Sequence, residues 1–292
     1  MYMFGSLITA MVTPFDINDT LDCTEAQRIA QHLESTGSDA LVLSGTTGES
    51  PTLTHAEELD LYRAVLDAVT IPIIAGTGSN CTHTAIAATQ AAEALGVHAS
   101  LQVTPYYNRP TQSGLIAHFT AIADATQLPI ILYNIPGRTS VNMTPETIAT
   151  LAKHPRIVGV KEAGGCVEMV RNIRALTPES FIIYAGDDGL ILPFMDAGAT
   201  GVVSVASHIV GPQLKQLIEH QQADETAHSQ AIADELMPLC DALFMTTNPV
   251  PVKAAMNQLG FSTGNPRLPL VPLTASELDA LQRVLAPYIK IH

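Results

Sequence analysis

Short apolar runs recur along the chain and alternate with stretches that carry helix signals, and this alternation constrains the fold most strongly. Eight runs of this kind occur in 292 residues. Runs that are apolar on both faces are typical of strands in a parallel sheet that helices cover. The predicted strands are Leu7–Val12, Ala40–Leu43, Ile71–Ala75, Ala99–Thr104, Ile130–Tyr133, Ile157–Lys161, Phe181–Ala185 and Gly201–Val205.

The intervals between the strands contain sequence signals for helix starts and ends. These signals are the capping-box pairs Thr24 with Gln27 and Thr54 with Glu57, the N-cap Thr144 before Pro145, and the C-cap glycines Gly37 and Gly96. Eight strand and helix units in a chain of this length predict an α/β fold, a (β/α)8 TIM barrel, more than an open doubly wound sheet. The absence of a GxGxxG motif after the first strand weakens the dinucleotide-binding alternative.

The residues after the eighth strand predict a helical extension. Gln213–Met245 is predicted as one helix, the segment Asn248–Pro251 ends it, and Val252–Leu259 and Ser276–Tyr288 are predicted as further helices. We therefore expect a catalytic barrel domain of residues 1–222 and a C-terminal helical extension of residues 223–292. The extension is expected to form either an interface or a cap over the barrel.

Composition excludes several classes of partner. A net charge of −14 argues against nucleic acid and anionic membranes, because both bind clustered Lys and Arg. No basic residue precedes Arg28, and no apolar run approaches the ~18 residues that span a bilayer. The cysteines form no CxxC pair, so we expect free thiols and a reducing, cytoplasmic location. They are Cys23, Cys81, Cys166 and Cys240.

Polar residues follow most of the predicted strands directly. In a parallel barrel these positions share one rim, where such enzymes place their active sites, so they predict a single pocket. The segments are Gly45–Ser50, Gly76–Gly78, Pro105–Asn108, Tyr133–Thr139, Lys161 with Glu162, and Gly186–Asp188.

Lys161 is the strongest catalytic candidate. A lysine at the end of a buried strand loses hydration of its ammonium form, which favours the neutral amine that attacks a ketone. The other lysines, Lys153, Lys215, Lys253 and Lys290, fall within or beside predicted helices. The alternative is a rim lysine paired with Glu162. No HxH or HExxH spacing indicates a metal site, so the residues predict a Schiff-base lyase or aldolase for a small 2-oxo acid.

The remaining candidates each have a structural alternative. The Gly45–Gly48 turn can bind a carboxylate or phosphate through backbone N–H groups, or it is simply a polar turn. Tyr133 can transfer protons, or it is a core tyrosine. Arg138 can bind a carboxylate, or it is a solvated loop residue. Asp187 and Asp188 resemble a metal or acid pair, but helix N-capping is the favoured interpretation.

Six motifs in this order give the sequence a family resemblance. They are Gly45–Ser50, Val103–Asn108, Tyr133–Thr139, Val160–Glu162, Gly186–Asp188 and Asn248–Lys253. Together they resemble the dihydrodipicolinate synthase family of pyruvate-dependent class I aldolases over nearly the whole chain. The resemblance implies a homotetrameric barrel, a dimer of dimers, that condenses pyruvate with aspartate semialdehyde in the diaminopimelate and lysine pathway. It implies no cofactor and no metal.

The resemblance also implies roles for individual residues. Lys161 is expected to form the imine with pyruvate, and Thr47 to hold the pyruvate carboxylate. A proton relay is expected from Tyr133, Thr46 and Tyr107, with Tyr107 reaching in from a neighbouring subunit. The semialdehyde carboxylate is expected at Arg138, and the backbones of Gly186 and Val203 are expected to line the pocket.

Departures from the family pattern concern regulation. Relatives inhibited by lysine use an interface site whose counterparts here are Ser50, Pro51, His55, Glu58, Asn80, Thr84 and Tyr106. Glu58 stands where a histidine is usual and Thr84 where a glutamate is usual, so we expect weak or absent inhibition. Thr246–Thr247 replaces a more usual acidic residue and leaves the role of that loop open.

Three alternative functions remain open at this point. N-acetylneuraminate lyase and 2-keto-3-deoxy sugar acid aldolases share the threonine, tyrosine and lysine elements, although Arg138 between Gly137 and Thr139 favours the synthase. A zinc-dependent aldolase is the second alternative. The third is a catalytically silent binding or regulatory protein on the same scaffold, against which the presence of Lys161 and Tyr133 counts.

Overall fold

A closed barrel of eight parallel strands forms the centre of the protein. The computed structural model describes residues 3–288, so the predicted helix-associated Lys290 lies outside the described residues. The strands, labelled in chain order, are β1 Leu7–Ala10, β2 Ala40–Leu43, β3 Ile73–Gly76, β4 Ala99–Val103, β5 Ile130–Asn134, β6 Ile157–Glu162, β7 Ile182–Ala185 and β8 Gly201–Ser204. The predicted TIM barrel is confirmed, and strand ends differ from the prediction by no more than a few residues.

Nearly every strand residue is buried, as expected for strands that face side chains on one side and helices on the other. The helices are α1 Cys23–Ser35, α2 His55–Leu66, α3 Thr82–Ala94, α4 Gln112–Asp124, α5 Pro136–Thr139, α6 Pro145–Leu151, α7 Val167–Leu176, α8 Ile191–Asp196, α9 Ser207–Gln222, α10 Thr226–Leu243, α11 Val250–Gln258 and α12 Ala275–Leu285. No helix within residues 3–288 is long and apolar enough to span a membrane.

Most of the predicted helix caps are present. Thr54 and Glu57 form a capping box, and Thr144 caps α6 before Pro145. The prediction for α1 is wrong, because its N-cap is Asp22, whose side chain accepts the backbone N–H of Glu25. An aspartate two residues earlier satisfies the exposed N–H groups first, so the helix begins at Cys23.

The C-terminal helices of the extension are confirmed, but the single helix predicted for Gln213–Met245 is wrong. Residues 223–225 separate α9 from α10, and Asp224 adopts a left-handed conformation with φ 60°. The apolar periodicity continues on both sides of this turn, so the sequence pattern did not reveal it.

The chain divides into two compact units, each defined by the contacts within it. One unit contains Pro72–Val203 together with the start of the chain up to Ser6, and the other contains Leu7–Ile71 and the chain from Ser204 onward. The first unit holds β3 to β7 and most of β8, and the second holds β1, β2 and the extension. The domain division at residues 222 and 223 stays a prediction.

Gly201 provides a test of packing at the start of β8. A Cβ atom at this position would lie 1.9 Å from the carbonyl oxygen of Ser6. We expect Gly201→Ala to lower the free energy of unfolding by about 1–3 kcal/mol, because the backbone must move to relieve the overlap. Chemical denaturation followed by circular dichroism measures the change.

Gly137→Ala is the matched control, because its added Cβ would meet no atom within 4 Å. An unfolding midpoint for Gly201→Ala equal to that of the wild type would contradict the predicted overlap.

Candidate active site

Lys161 and Tyr133 lie side by side on neighbouring strands. The two residues are register partners of β6 and β5, so their side chains leave the sheet on the same face. The Nζ atom of Lys161 lies 4.3 Å from the centre of the Tyr133 ring, and Lys161 is only 6% exposed. The amine therefore lies against the face of an aromatic ring, where a cation is attracted but bulk water is largely excluded.

Glu162 is not the partner of Lys161, so the rim ion pair considered above is wrong. The fully buried carboxylate accepts hydrogen bonds from Asn134 Nδ2 at 2.8 Å and from the N–H of Gly164 at 2.6 Å. Burial raises the pKa of Glu162, and the hydrogen bond from Asn134 opposes that shift. Within residues 3–288 no ion pair engages Lys161, which leaves its amine available for chemistry.

Gly186 follows β7 and approaches the end of β6 closely. Its N–H donates to the carbonyl of Glu162 at 2.8 Å, and an added Cβ would lie 2.5 Å from the Cβ of Ala163. Only glycine fits this approach. Val203 lies in β8 and is 2% exposed. Both predicted lining residues belong to the same compact unit as Lys161.

Arg138 lies in α5, the short helix that follows β5, and its side chain is exposed. The next residue, Thr139, is buried, and its hydroxyl donates to the carbonyls of Ile135 and Val141 at 3.0 Å. Thr104 donates to the same hydroxyl at 3.1 Å. The threonine thus anchors the short helix that carries the exposed arginine.

Tyr107 projects from the loop after β4. The residue has φ 73° and is 92% exposed. Asn80 braces the loop, because its side chain donates to the carbonyl of Tyr106 at 3.2 Å and its own carbonyl accepts from the Asn108 side chain at 2.8 Å. The braced loop therefore presents a phenol that is almost fully exposed within residues 3–288.

The threonine turn after β2 is tightly folded. The N–H of Glu49 donates to the carbonyl of Thr46 at 3.1 Å, and that of Ser50 donates to the carbonyl of Gly45 at 3.2 Å. A Cβ at Gly48 would lie 3.0 Å from the backbone nitrogen of Ser44, so a side chain there would crowd the backbone. Thr47 is buried and Thr46 is half-buried.

Asn248 contacts Thr47, and the sequence did not predict this role. Its side-chain nitrogen donates to Thr47 Oγ1 at 2.9 Å, and both residues are buried. Because the hydroxyl oxygen accepts this bond, its own hydrogen remains available to a ligand. The motif Asn248–Lys253 was the only sequence signal, and it indicated a family rather than a contact. The preceding Thr247 shapes the turn, since its carbonyl accepts the N–H of Val250 at 3.0 Å.

Lys253 is a second buried lysine, which the sequence placed only beside a helix. Its Nζ donates to Glu49 Oε1 at 2.7 Å, to the Thr13 carbonyl at 3.0 Å and to the Asn265 carbonyl at 3.2 Å. Burial lowers the pKa of Lys253, and the charge of Glu49 opposes the shift. All its N–H groups are used, so Lys253 holds the threonine turn in place instead of acting as a nucleophile.

Asp187 and Asp188 follow β7 as predicted. The side chain of Asp187 accepts the N–H of Gly189 at 2.9 Å and caps the 3-10 helix Asp188–Leu190. The capping interpretation is confirmed for Asp187.

The predicted regulatory residues are divided between the two compact units. His55 Nδ1 lies 3.5 Å from Glu58 Oε2, and Ser50 with Pro51 begins a 3-10 helix. Burial raises the pKa of Glu58 to about 7. In the other unit Asn80 contacts Tyr106 through the bond given above, and Thr84 lies exposed in the first turn of α3.

Two lysine–carboxylate contacts, one buried and one partly exposed, allow a matched stability test. We expect Lys253→Met to lower the free energy of unfolding by about 3–5 kcal/mol, because it leaves the Glu49 carboxylate buried without its cation. Both side chains of this pair are 1% exposed. Denaturant unfolding measures the loss.

Lys215→Met is the control, since Lys215 pairs with Asp39 at 2.6 Å but both side chains are about a quarter exposed. Solvent screening limits its expected cost to roughly 0–1 kcal/mol. Equal losses in the two variants would show that burial does not set the contribution of the Glu49 pair.

Comparisons with known proteins agree over nearly the whole chain. The model of the "Dihydrodipicolinate synthetase family" matches residues 3–287. A 4-hydroxy-tetrahydrodipicolinate synthase of Synechococcus elongatus is 57% identical over 287 residues, which cover 97% of this chain and 96% of that protein.

Solved structures give the same result. Dihydrodipicolinate synthase from Bacillus anthracis is 46% identical with a TM-score of 0.96, and the match covers 98% of this chain and 99% of that one. The enzyme from Cyanidioschyzon merolae with lysine bound is 47% identical with a TM-score of 0.96, and the match covers 98% of both chains.

Proposed function

The chain belongs to the dihydrodipicolinate synthetase family, and from that premise we propose that it acts as a 4-hydroxy-tetrahydrodipicolinate synthase. It is a lyase that condenses pyruvate with L-aspartate 4-semialdehyde for diaminopimelate and lysine biosynthesis. The observation that carries the proposal is the buried amine of Lys161 against the Tyr133 ring, with Glu162 engaged by other donors. The related sugar acid aldolases act on a different second substrate, which they would need other residues to bind.

The proposed reaction begins with attack of the Lys161 amine on the keto carbon of pyruvate. Loss of water gives an imine, which makes the former carbonyl carbon an electron sink. Removal of a methyl proton then gives an enamine, whose carbon attacks the aldehyde and leaves a hydroxyl group. The amine of the semialdehyde portion finally attacks the imine carbon, closes the ring and releases Lys161.

Proton transfer and carboxylate binding are proposed for the predicted residues. Tyr133, Thr46 and Tyr107 form the relay, and Arg138 binds the carboxylate of the semialdehyde. Thr47 binds the pyruvate carboxylate through its N–H and hydroxyl. The hydrogen bond from Asn248 supports this role, because it leaves the Thr47 hydroxyl to donate to the substrate. Gly186 and Val203 line the pocket through their backbones.

We propose a homotetramer in which Tyr107 enters the site of a neighbouring subunit. The exposure of 92% and the braced loop support this proposal, since a phenol in solvent contributes little to a single chain. A cytoplasmic location is proposed from the cysteines, all four of which are free thiols. No cofactor or metal takes part in the proposed reaction.

Covalent trapping tests the proposed reaction. We expect borohydride reduction in the presence of pyruvate to leave one adduct on Lys161, located by intact mass and peptide mapping. Lys161→Ala removes the only amine proposed to form the imine, so it should lose the adduct while keeping its circular dichroism spectrum.

Lys153 is exposed, so Lys153→Ala is the matched control and should retain the adduct. An adduct on another lysine, or none in the wild type, would refute the assignment. Initial rates with aspartate semialdehyde compared with sugar acids separate the synthase from related aldolases.

We further propose that L-lysine inhibits weakly or not at all. Thr84 supplies no charge for the amines of the effector, and Glu58, with its pKa near 7, is only partly ionised at neutral pH. Initial rates measured against increasing L-lysine should therefore change little for the wild type. Glu58→His combined with Thr84→Glu restores the usual pattern and should increase sensitivity.

Glu58→His alone serves as the control, because it leaves Thr84 without a charge. Strong inhibition of the wild type at low lysine concentration would contradict this proposal.

A further inference from the structure

Three potential metal ligands converge where α9 meets α10. The N–H of Glu225 donates to the carbonyl of His220 at 2.9 Å, and the N–H of His228 donates to the carbonyl of Glu225 at 3.0 Å. Asp224 turns the chain between the helices in a left-handed conformation. The backbone of the junction thus fixes where the side chains of His220, Glu225 and His228 begin.

The side chains point to one another. Glu225 Oε2 lies 2.5 Å from His220 Nδ1 and 3.6 Å from His228 Nδ1. The two imidazole rings are 5.2 Å apart between centres, and the ligand atoms of all three residues lie within 4.8 Å of one another. Tetrahedral zinc with bonds of about 2.0–2.2 Å needs ligand atoms roughly 3.2–3.6 Å apart. The separations in the structure, from 2.5 Å to at most 4.8 Å, bracket that spacing.

One buried residue holds the otherwise exposed junction together. Ser229, one residue after His228, is fully buried, and its hydroxyl donates to the side chain of Gln221 at 2.6 Å. A bond thus joins the last turn of α9 to the first turn of α10, beside the ligands.

We propose that His220, Glu225 and His228 bind a divalent transition-metal ion such as Zn²⁺, with water completing its coordination. Two imidazoles and a carboxylate are donors that Zn²⁺ accepts, whereas Mg²⁺ and Ca²⁺ prefer oxygen ligands alone. The bound ion joins the end of α9 to the start of α10 and stabilises the extension. None of the residues proposed for catalysis belongs to this site.

Calorimetric titration tests the site with ZnCl₂ and MgCl₂ as probes. The titration uses untagged protein, because a histidine tag binds zinc. The thiols are alkylated beforehand, because the exposed Cys81 and Cys166 also offer zinc ligands. We expect one Zn²⁺ per chain and no binding of Mg²⁺, because Mg²⁺ prefers oxygen ligands alone.

Glu225→Gln and His228→Gln should each weaken zinc binding by about tenfold or more, because each removes one of the protein ligands. His83→Gln, a change at an exposed histidine of α3, is the matched control and should bind like the wild type. Zinc should raise the melting temperature of the wild type and of His83→Gln, but not that of His228→Gln.

Failure of the wild type to bind zinc would overturn the proposal. So would unchanged binding in both ligand variants, or loss of binding in His83→Gln. Both altered side chains are on the surface, and circular dichroism verifies folding of each variant. Because zinc binding is measured without substrate, the result is independent of the proposed synthase activity.

Discussion

The position of Lys161 opposite Tyr133 depends on an irregularity in the pairing of β5 with β6. Ile130 pairs with Ile157, but Ile131 pairs with Gly159, so the register shifts by one residue between these pairs. Without the shift, Tyr133 would pair with Val160, and the side chain of Lys161 would lie on the other face. The extra residue is thus what brings an amine to an aromatic ring at the end of the strand, and bulges often direct side chains in this way next to active sites.

Glycine makes this strand position possible. A Cβ at Gly159 would lie 2.6 Å from the carbonyl of Ile182 on β7, so β6 can approach β7 only because the side chain is absent. The same irregular strand then places Glu162 where Asn134 and the N–H of Gly164 satisfy its carboxylate. The available lysine and the occupied glutamate are therefore two consequences of one local register.

The two buried lysines show that environment decides function more than residue type does. Lys253 donates to a carboxylate and two carbonyls, so its amine is held in place. Lys161 instead has a ring face beside it and no carboxylate partner among the described residues. Of the two buried lysines, Lys161 is therefore the one whose amine is placed to act as a nucleophile.

The sequence predicted the barrel well, because apolar runs identify buried strands and because alternation with helices leaves few topologies. It also predicted that Lys161 and Tyr133 lie at the same rim of the barrel. It could not predict the register shift between Ile130 and Ile131 in the pairing of β5 with β6. Both faces of β6 are apolar, so the hydrophobic pattern does not distinguish one register from the next. The turn at Asp224 was missed for a similar reason, because helical periodicity continues across it.

Long-range hydrogen bonds were the other limit of sequence reasoning, and they change the view of the C-terminal extension. Asn248 and Lys253 lie in the segment predicted to form an appendage, yet they contact Thr47 and Glu49 in the turn after β2. Buried polar groups in that turn are satisfied only when the extension is folded, so the turn cannot keep its geometry alone. The predicted carboxylate site therefore depends on residues from both ends of the chain, and the extension is part of the machinery that shapes it.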